Sequence, residues 1–237
     1  MSDFKLIEGG EYKPLIREMR HAKSFSREEF VKHGLIHPGM DEQNIVNSFR
    51  QLRTTLLSKM EKFNSCILVS SVHSGGGASY ISMNLATSFT FDHQKTALLI
   101  DCNLKNPTLA DRLGVEYKYG LQEYLTEEIE DISCIVYPTG VPRLRLVPCG
   151  KNSSDIVEFF TGEKINHFLD EVRNRYPDRI IILDTPPILD TADSKILAEY
   201  CDHVLLVIPY KGVMSSTVNK TLSSIEKSKV IGMVLNK

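Results

Sequence analysis

A chain of 237 residues accommodates one α/β domain with an N-terminal extension, or at most two small domains. Hydrophobic residues make up 42% and charged residues 24%, enough for a sizeable core, and 28 basic against 30 acidic side chains leave a formal charge of −2, which argues against a dedicated nucleic-acid binder. No apolar run reaches bilayer-spanning length and residues 1–10 lack a signal-peptide core, so a cytoplasmic location is expected.

Residues 1–41 are polar and mixed in charge, with Arg17, Arg20 and Lys23 as basic patches and a His37-Pro38-Gly39 turn. They read as an N-terminal arm serving either packing or docking, ahead of a domain over 42–237. A helix is predicted at about 42–60, where Ile45, Val46, Phe49, Leu52, Leu56, Leu57 and Met60 recur at helical spacing. Arg50 and Arg53 fall close together on it. The chain then alternates: strand 66–71, a glycine run, helix 79–92, strand 96–101, a variable region 105–150, helical patterns at 154–160 and 162–175, strand 179–184, strand 204–209, helix 215–227 and strand 230–236. Short, fully apolar strands separated by helices predict a mostly parallel sheet covered on both faces, a three-layer α/β fold whose ligands lie at the carboxyl ends of the strands. The cysteines, Cys66, Cys102, Cys134, Cys149 and Cys201, are odd in number and form no CxxC pair, so they read as thiols of a reducing compartment.

Three strand ends carry chemistry. Strand 66–71 runs through Ser74-Gly75-Gly76-Gly77-Ala78-Ser79-Tyr80 into a helix, placing backbone N–H groups and a helix N-terminus together as an anion cradle. Taken alone, this is equally a plain glycine-rich turn. Leu98-Leu99-Ile100-Asp101 and Ile181-Ile182-Leu183-Asp184-Thr185-Pro186 each put a carboxylate at the tip of a buried strand, where it needs a pocket, a metal or a hydrogen bond. Together the three ends predict a Mg²⁺–nucleotide site, with Ser79, Asp101 and Asp184 as candidates for the metal.

The set resembles the bacterial tyrosine kinases of capsule and exopolysaccharide synthesis, and within them the exosortase-associated branch, inside the MinD/ParA-like P-loop ATPases. The resemblance covers about residues 45–237. It implies that Ser74 to Tyr80 hold ATP or ADP, that Asn236 contacts adenine, and that Asp101, Asn103 and Lys105 form the second acidic motif, with Asp101 assisting deprotonation of an acceptor tyrosine. It also implies ring assembly through Arg50 and Arg53, a membrane polysaccharide co-polymerase (chain-length determinant) as partner, and recruitment by that partner to the inner membrane face.

The chain departs from the family pattern at several positions. Ala78 stands where the P-loop lysine belongs, Asn103 where the family has a second aspartate, Lys105 where it has arginine, and Asn47 where it has a glutamate. The family's C-terminal tyrosine cluster has no counterpart up to Lys237. A unit charge about 4 Å from a phosphate oxygen is worth roughly 4 kcal/mol at an effective dielectric near 20. Binding is therefore expected to survive better than turnover. The expected function is a nucleotide-binding pseudokinase or weak kinase regulating polysaccharide synthesis; the alternatives are an active autokinase and a MinD/ParA-like positioning ATPase. Lys105 is a candidate to replace the missing cation.

Overall fold

The computed structural model describes residues 24–62, 64–150, 160, 163–175 and 178–237. A seven-stranded sheet runs in the order β3-β4-β2-β5-β1-β6-β7. Its strands are β1 (Cys66–Ser71), β2 (Thr96–Asp101), β3 (Tyr137–Pro138), β4 (Leu144–Val147), β5 (Arg179–Asp184), β6 (His203–Pro209) and β7 (Val230–Asn236). All neighbours are parallel except β3, which pairs antiparallel with β4. Helices α1 (Arg27–Lys32), α2 (Gln43–Lys59), α3 (Ala78–Phe89), α4 (Leu109–Leu113), α5 (Leu121–Leu125), α6 (Glu163–Arg175), α7 (Ala192–Tyr200) and α8 (Ser215–Ser223) connect or cover them.

The central strands are buried along their whole length because both faces are covered, which is why their sequences are apolar runs rather than alternations. One face packs Ile67, Val69, Leu99, Ile182 and Leu205 against α2 and α3; the other packs Leu68, Leu98, Ile181, Leu183 and Leu206 against α6 and α7. Truncating such a leucine to alanine costs about 2–5 kcal/mol. The alternation of strand and helix predicted this mostly parallel architecture, and it is what the chain adopts.

Several details differ from expectation. Helix α3 starts one residue earlier, at Ala78, and ends at Phe89; α8 stops at Ser223, followed by a short 3₁₀ turn at Lys227–Lys229. The variable region contains α4, α5, β3 and β4. The helical pattern expected at 154–160 lies outside the described residues except for Phe160.

Residues 24–41 pack on the same core as the rest. A capping box at Ser26 starts α1: the Ser26 hydroxyl accepts from the Glu29 N–H, and the Ser26 N–H donates to Glu29 Oε2 at 2.7 Å. Phe30, Leu35 and Ile36 are buried in the α2/α3 cluster. Asn84 of α3 stitches the segment down, accepting from the Ile36 N–H at 2.7 Å and donating to the Gly34 carbonyl at 3.0 Å. The chain entering the domain is thereby tied to the helix that follows the glycine loop.

Candidate functional site

The glycine loop leaves β1 under tight steric control. Val72 continues the ladder by donating to the Val207 carbonyl at 3.1 Å, and the Ser71 hydroxyl bridges the loop by accepting from the His73 N–H and donating to the His73 carbonyl. Gly75 and Gly77 have φ of +76° and +87°, the left-handed region that side chains resist. A Cβ on Gly76 would lie 1.9 Å from Ser71 Oγ, and one on Gly77 would lie 2.1 Å from Asn236 Nδ2. The glycines are therefore required by the protein's own packing. His73 spends Nδ1 on the Ser74 carbonyl at 2.7 Å.

Asn236, expected at the adenine, braces this loop: its Nδ2 donates to the Gly76 carbonyl at 3.1 Å, while its own carbonyl accepts from the Tyr210 N–H at 2.8 Å. Gly77 occupies the N-cap of α3, and Ala78 is the first helical residue, its methyl packed against the core cluster. Tyr80 turns its ring edgewise onto Phe49, 6.1 Å between centroids, so what it can offer a ligand is its backbone N–H.

Asp101 and Asp184 are register partners on adjacent strands, and both are almost fully buried. Asp184 accepts from Ser82 Oγ at 2.9 Å and is hydrogen-bonded by Ser79. Burial, and then the Asp101 charge, push it up to about 7, against the pull of the two serines. Burial also pushes Asp101 up to about 6 although three amides oppose it. Asp101 Oδ1 accepts from the Asn103 N–H at 3.1 Å, and Oδ2 accepts from those of Thr108 and Leu109 at 3.1 and 3.0 Å. The Asp101 carboxylate thus pins both feet of the loop that begins α4. Asn103 closes a turn within that loop by accepting from the Asn106 N–H, and Lys105 is exposed at its tip. Beside Asp101 lies a cavity of about 360 Å³ walled by Pro107, Asp111, Tyr117 and Gly150.

The two arginines of α2 diverge. Arg53 Nη1 donates to the Ser88 carbonyl, capping the last turn of α3. Arg50 lies 5.9 Å from the Phe91 ring centroid and donates only a long, exposed hydrogen bond of 3.5 Å to Asn47 Oδ1, which leaves it the freer of the two. All five cysteines are free thiols, four of them buried.

Residues not singled out from sequence complete the site. Ser82 sits one helical turn beyond Ala78 and Ser79, a spacing that was visible. Ser70 and Ser194 both donate to the Pro186 carbonyl at 2.7 Å, clamping β1, the end of β5 and the start of α7 together. Nothing local in the sequence marks that clamp. The donors around Asp184 are hard oxygens, and Gly76 and Gly77 leave no room for side chains, so the residues present fit a magnesium nucleotide. Among the described residues no cluster of three His, Cys, Asp or Glu side chains is placed to hold a metal by itself.

A parallel sheet with a glycine cradle on its first central strand and carboxylates on the next two defines a P-loop nucleotide-binding domain. Residues 64–231 match the AAA domain family. The chain is 32% identical to the tyrosine-protein kinase CpsD of Streptococcus agalactiae, over 80% of this chain and 81% of that one. It is 28% identical to the tyrosine-protein kinase wzc of Salmonella typhi over 81% of this chain, and spans about a quarter (26%) of that longer protein. The VpsO kinase domain superposes with a TM-score of 0.72 at 29% identity, covering 83% of this chain and 98% of that one. The chain belongs to the bacterial tyrosine-kinase family. Family membership implies nucleotide binding. Among the described residues no helix is long and apolar enough to cross a membrane.

Proposed function

We propose that this chain is a nucleotide-binding regulator of exopolysaccharide or capsule synthesis and chain length. It binds ATP or ADP with Mg²⁺ but transfers phosphate weakly or not at all. The observation that carries the reading is the combination of an intact cradle with a missing cation: Gly76 and Gly77 are sterically required, while Ala78 beside them ends in a methyl group packed against the core.

When bound, Mg²⁺ would neutralise phosphate charge. Ser79 and Asp184 would hold it, and the amides of residues 75–79 would hold phosphate oxygens. What Ala78 cannot supply is a charge that follows the leaving phosphate, so binding outlasts turnover. In this reading the chain works at the inner membrane face, docked on a membrane polysaccharide co-polymerase. Arg50 is the better placed of the two arginines to reach a second copy, since Arg53 on α2 is engaged by the end of the neighbouring helix α3.

Calorimetry with ADP and ATP, with and without Mg²⁺, tests binding, and a phosphotyrosine blot tests transfer. The expected outcome is Mg²⁺-dependent binding with no phosphotyrosine above background, and a gain in transfer of about a hundredfold or more in Ala78→Lys given a tyrosine substrate. No heat with either nucleotide overturns the binding reading. A strong phosphotyrosine signal from the unaltered chain overturns the weak-kinase reading in favour of an active autokinase.

A further inference from the structure

One buried carboxylate near the site has no assigned task. Asp193, the second residue of α7, is 6% exposed, and its Oδ1 has no hydrogen-bond partner. Helix α7 does not need it for capping, because Thr191 Oγ1 accepts from the Ser194 N–H at 3.4 Å and Ser194 Oγ fastens the helix start to the Pro186 carbonyl. A buried carboxylate oxygen without a donor costs free energy until a cation or donor reaches it. Burial raises the Asp193 pKa, and the one charged group that acts on it in the opposite direction is Lys105.

Lys105 is suited to answer it. The loop carrying Lys105 is pinned at its base by Asp101, through the Asn103, Thr108 and Leu109 amides, and closed at its tip by the Asn103–Asn106 turn, so the exposed Lys105 side chain is its part left to move. Lys105 makes no direct ion pair with Asp193 in this conformation, and its side chain is exposed. Loop and helix start follow β2 and β5, neighbouring strands, and so flank the Asp101–Asp184 pair at the carboxyl end of the sheet. An ammonium carries three donors, one for Asp193 Oδ1 and others for phosphate oxygens.

We propose that Asp193 is a positioning residue for Lys105: its unpartnered oxygen takes the Lys105 ammonium as the loop settles, and so presents to the bound nucleotide's phosphates the cation that Ala78 lacks. This rests on the nucleotide-binding reading above. The amine and carboxylate act as one unit, so losing either loses both.

Titration of the full chain with fluorescent ADP and Mg²⁺ tests the pairing. Lys105→Ala and Asp193→Asn each weaken binding about tenfold, the double variant is no weaker than either single one, and Lys105→Arg stays within about threefold of the parent. Asp193→Asn binding like the parent, or a double variant weakened by the product of the single effects, overturns the proposal. Where Asp193→Asn does not fold by circular dichroism, acetylation of the parent chain with and without Mg²⁺ and ADP decides. Lys105 slowed several-fold by the nucleotide while the exposed Lys211 is not supports the pair, and a Lys105 rate indifferent to the nucleotide overturns it. A parent chain that binds no ADP sinks the nucleotide reading on which this rests, whereas binding that is indifferent to Asp193 and Lys105 sinks the pairing alone.

Discussion

Asp101 and Asp184 stand at matched positions on adjacent strands, each ending an apolar run, yet they are supported in opposite ways. Three backbone N–H groups grip Asp101, and an N–H can only donate. Two serine hydroxyls meet Asp184, and a hydroxyl can donate or accept as its neighbour changes protonation. The first arrangement fixes a loop; the second leaves a carboxylate that can exchange its partners for a ligand. A hydrophobic strand ending in aspartate is therefore one sequence signature with two physical outcomes, decided by what lies across from the carboxylate.

Filling the cradle that both aspartates flank should have the largest effect. Gly76→Val would drive a side chain into Ser71, whose Oγ lies 1.9 Å from where the Cβ would sit. Nucleotide affinity should fall by more than about a hundredfold and stability by roughly 2 kcal/mol, since overpacking a tight site typically costs 1–3 kcal/mol. Calorimetry and urea denaturation read the two separately. Affinity within a few-fold of the parent would show that the loop is not the binding element.

Asp101→Asn comes next and tests the fixed side of the comparison. An amide side chain has one acceptor oxygen for the three N–H groups now served by two, so at least one donor is stranded, at a cost of about 1–3 kcal/mol. The loss should be largest near pH 5 and shrink by pH 8, because the parent carboxyl is raised to about 6 from an ordinary 3.8, so the parent itself loses stability as pH rises from about 4 to about 6 while the variant does not. A stability unchanged at pH 5 would mean that the loop does not depend on this anchor.

Asp184→Asn should remove a similar pH slope without stranding a donor. Its carboxyl has a pKa of about 7 in the folded chain against an ordinary 3.8, so the folded state binds more protons and loses stability as pH rises from about 4 to about 7. Removing the charge should flatten that slope and stabilise the nucleotide-free chain at pH 8 by about 1–2 kcal/mol, well below the full shift because water and relaxation screen buried charges. The same variant should lose the Mg²⁺ dependence of nucleotide binding. Destabilisation at pH 8 would place Asp184 in the same structural role as Asp101.

Much of this was legible before the fold was known, for a physical reason. Strands buried on both faces carry their own signal, and β1, β2, β5 and β7 fall at the expected residues. The glycine run and the two aspartates follow directly from those strand ends. What was not legible depends on contacts distant in sequence. Strand β4 is only Leu144–Val147, and Arg145 within it is buried, so locally it reads as loop. Residues 24–41 look like a polar arm because Phe30, Leu35 and Ile36 follow no repeat; their burial depends on Asn84, about fifty residues away. Arg53 looks like a solvated charge until the end of α3 meets it. Ser82 was the one missed site residue with a local signal, one turn along the helix that the glycine loop starts.

Ser82 also offers the finest test of the comparison. Ser82→Ala removes one of the two hydroxyls on Asp184 and leaves Ser79, so the carboxylate loses a donor while the helix keeps its packing. A hydrogen bond to the charged form lowers its pKa, and deleting it should raise the Asp184 value further. The cost therefore belongs to the ionised state: about 1 kcal/mol at pH 8, falling toward zero at pH 5, where both chains hold the proton. Urea denaturation of the two chains across that range reads the difference directly. A loss of equal size at both pH values would mean that Ser82 serves the helix, through its second bond to the Ala78 carbonyl, and that Asp184 is held by Ser79 alone.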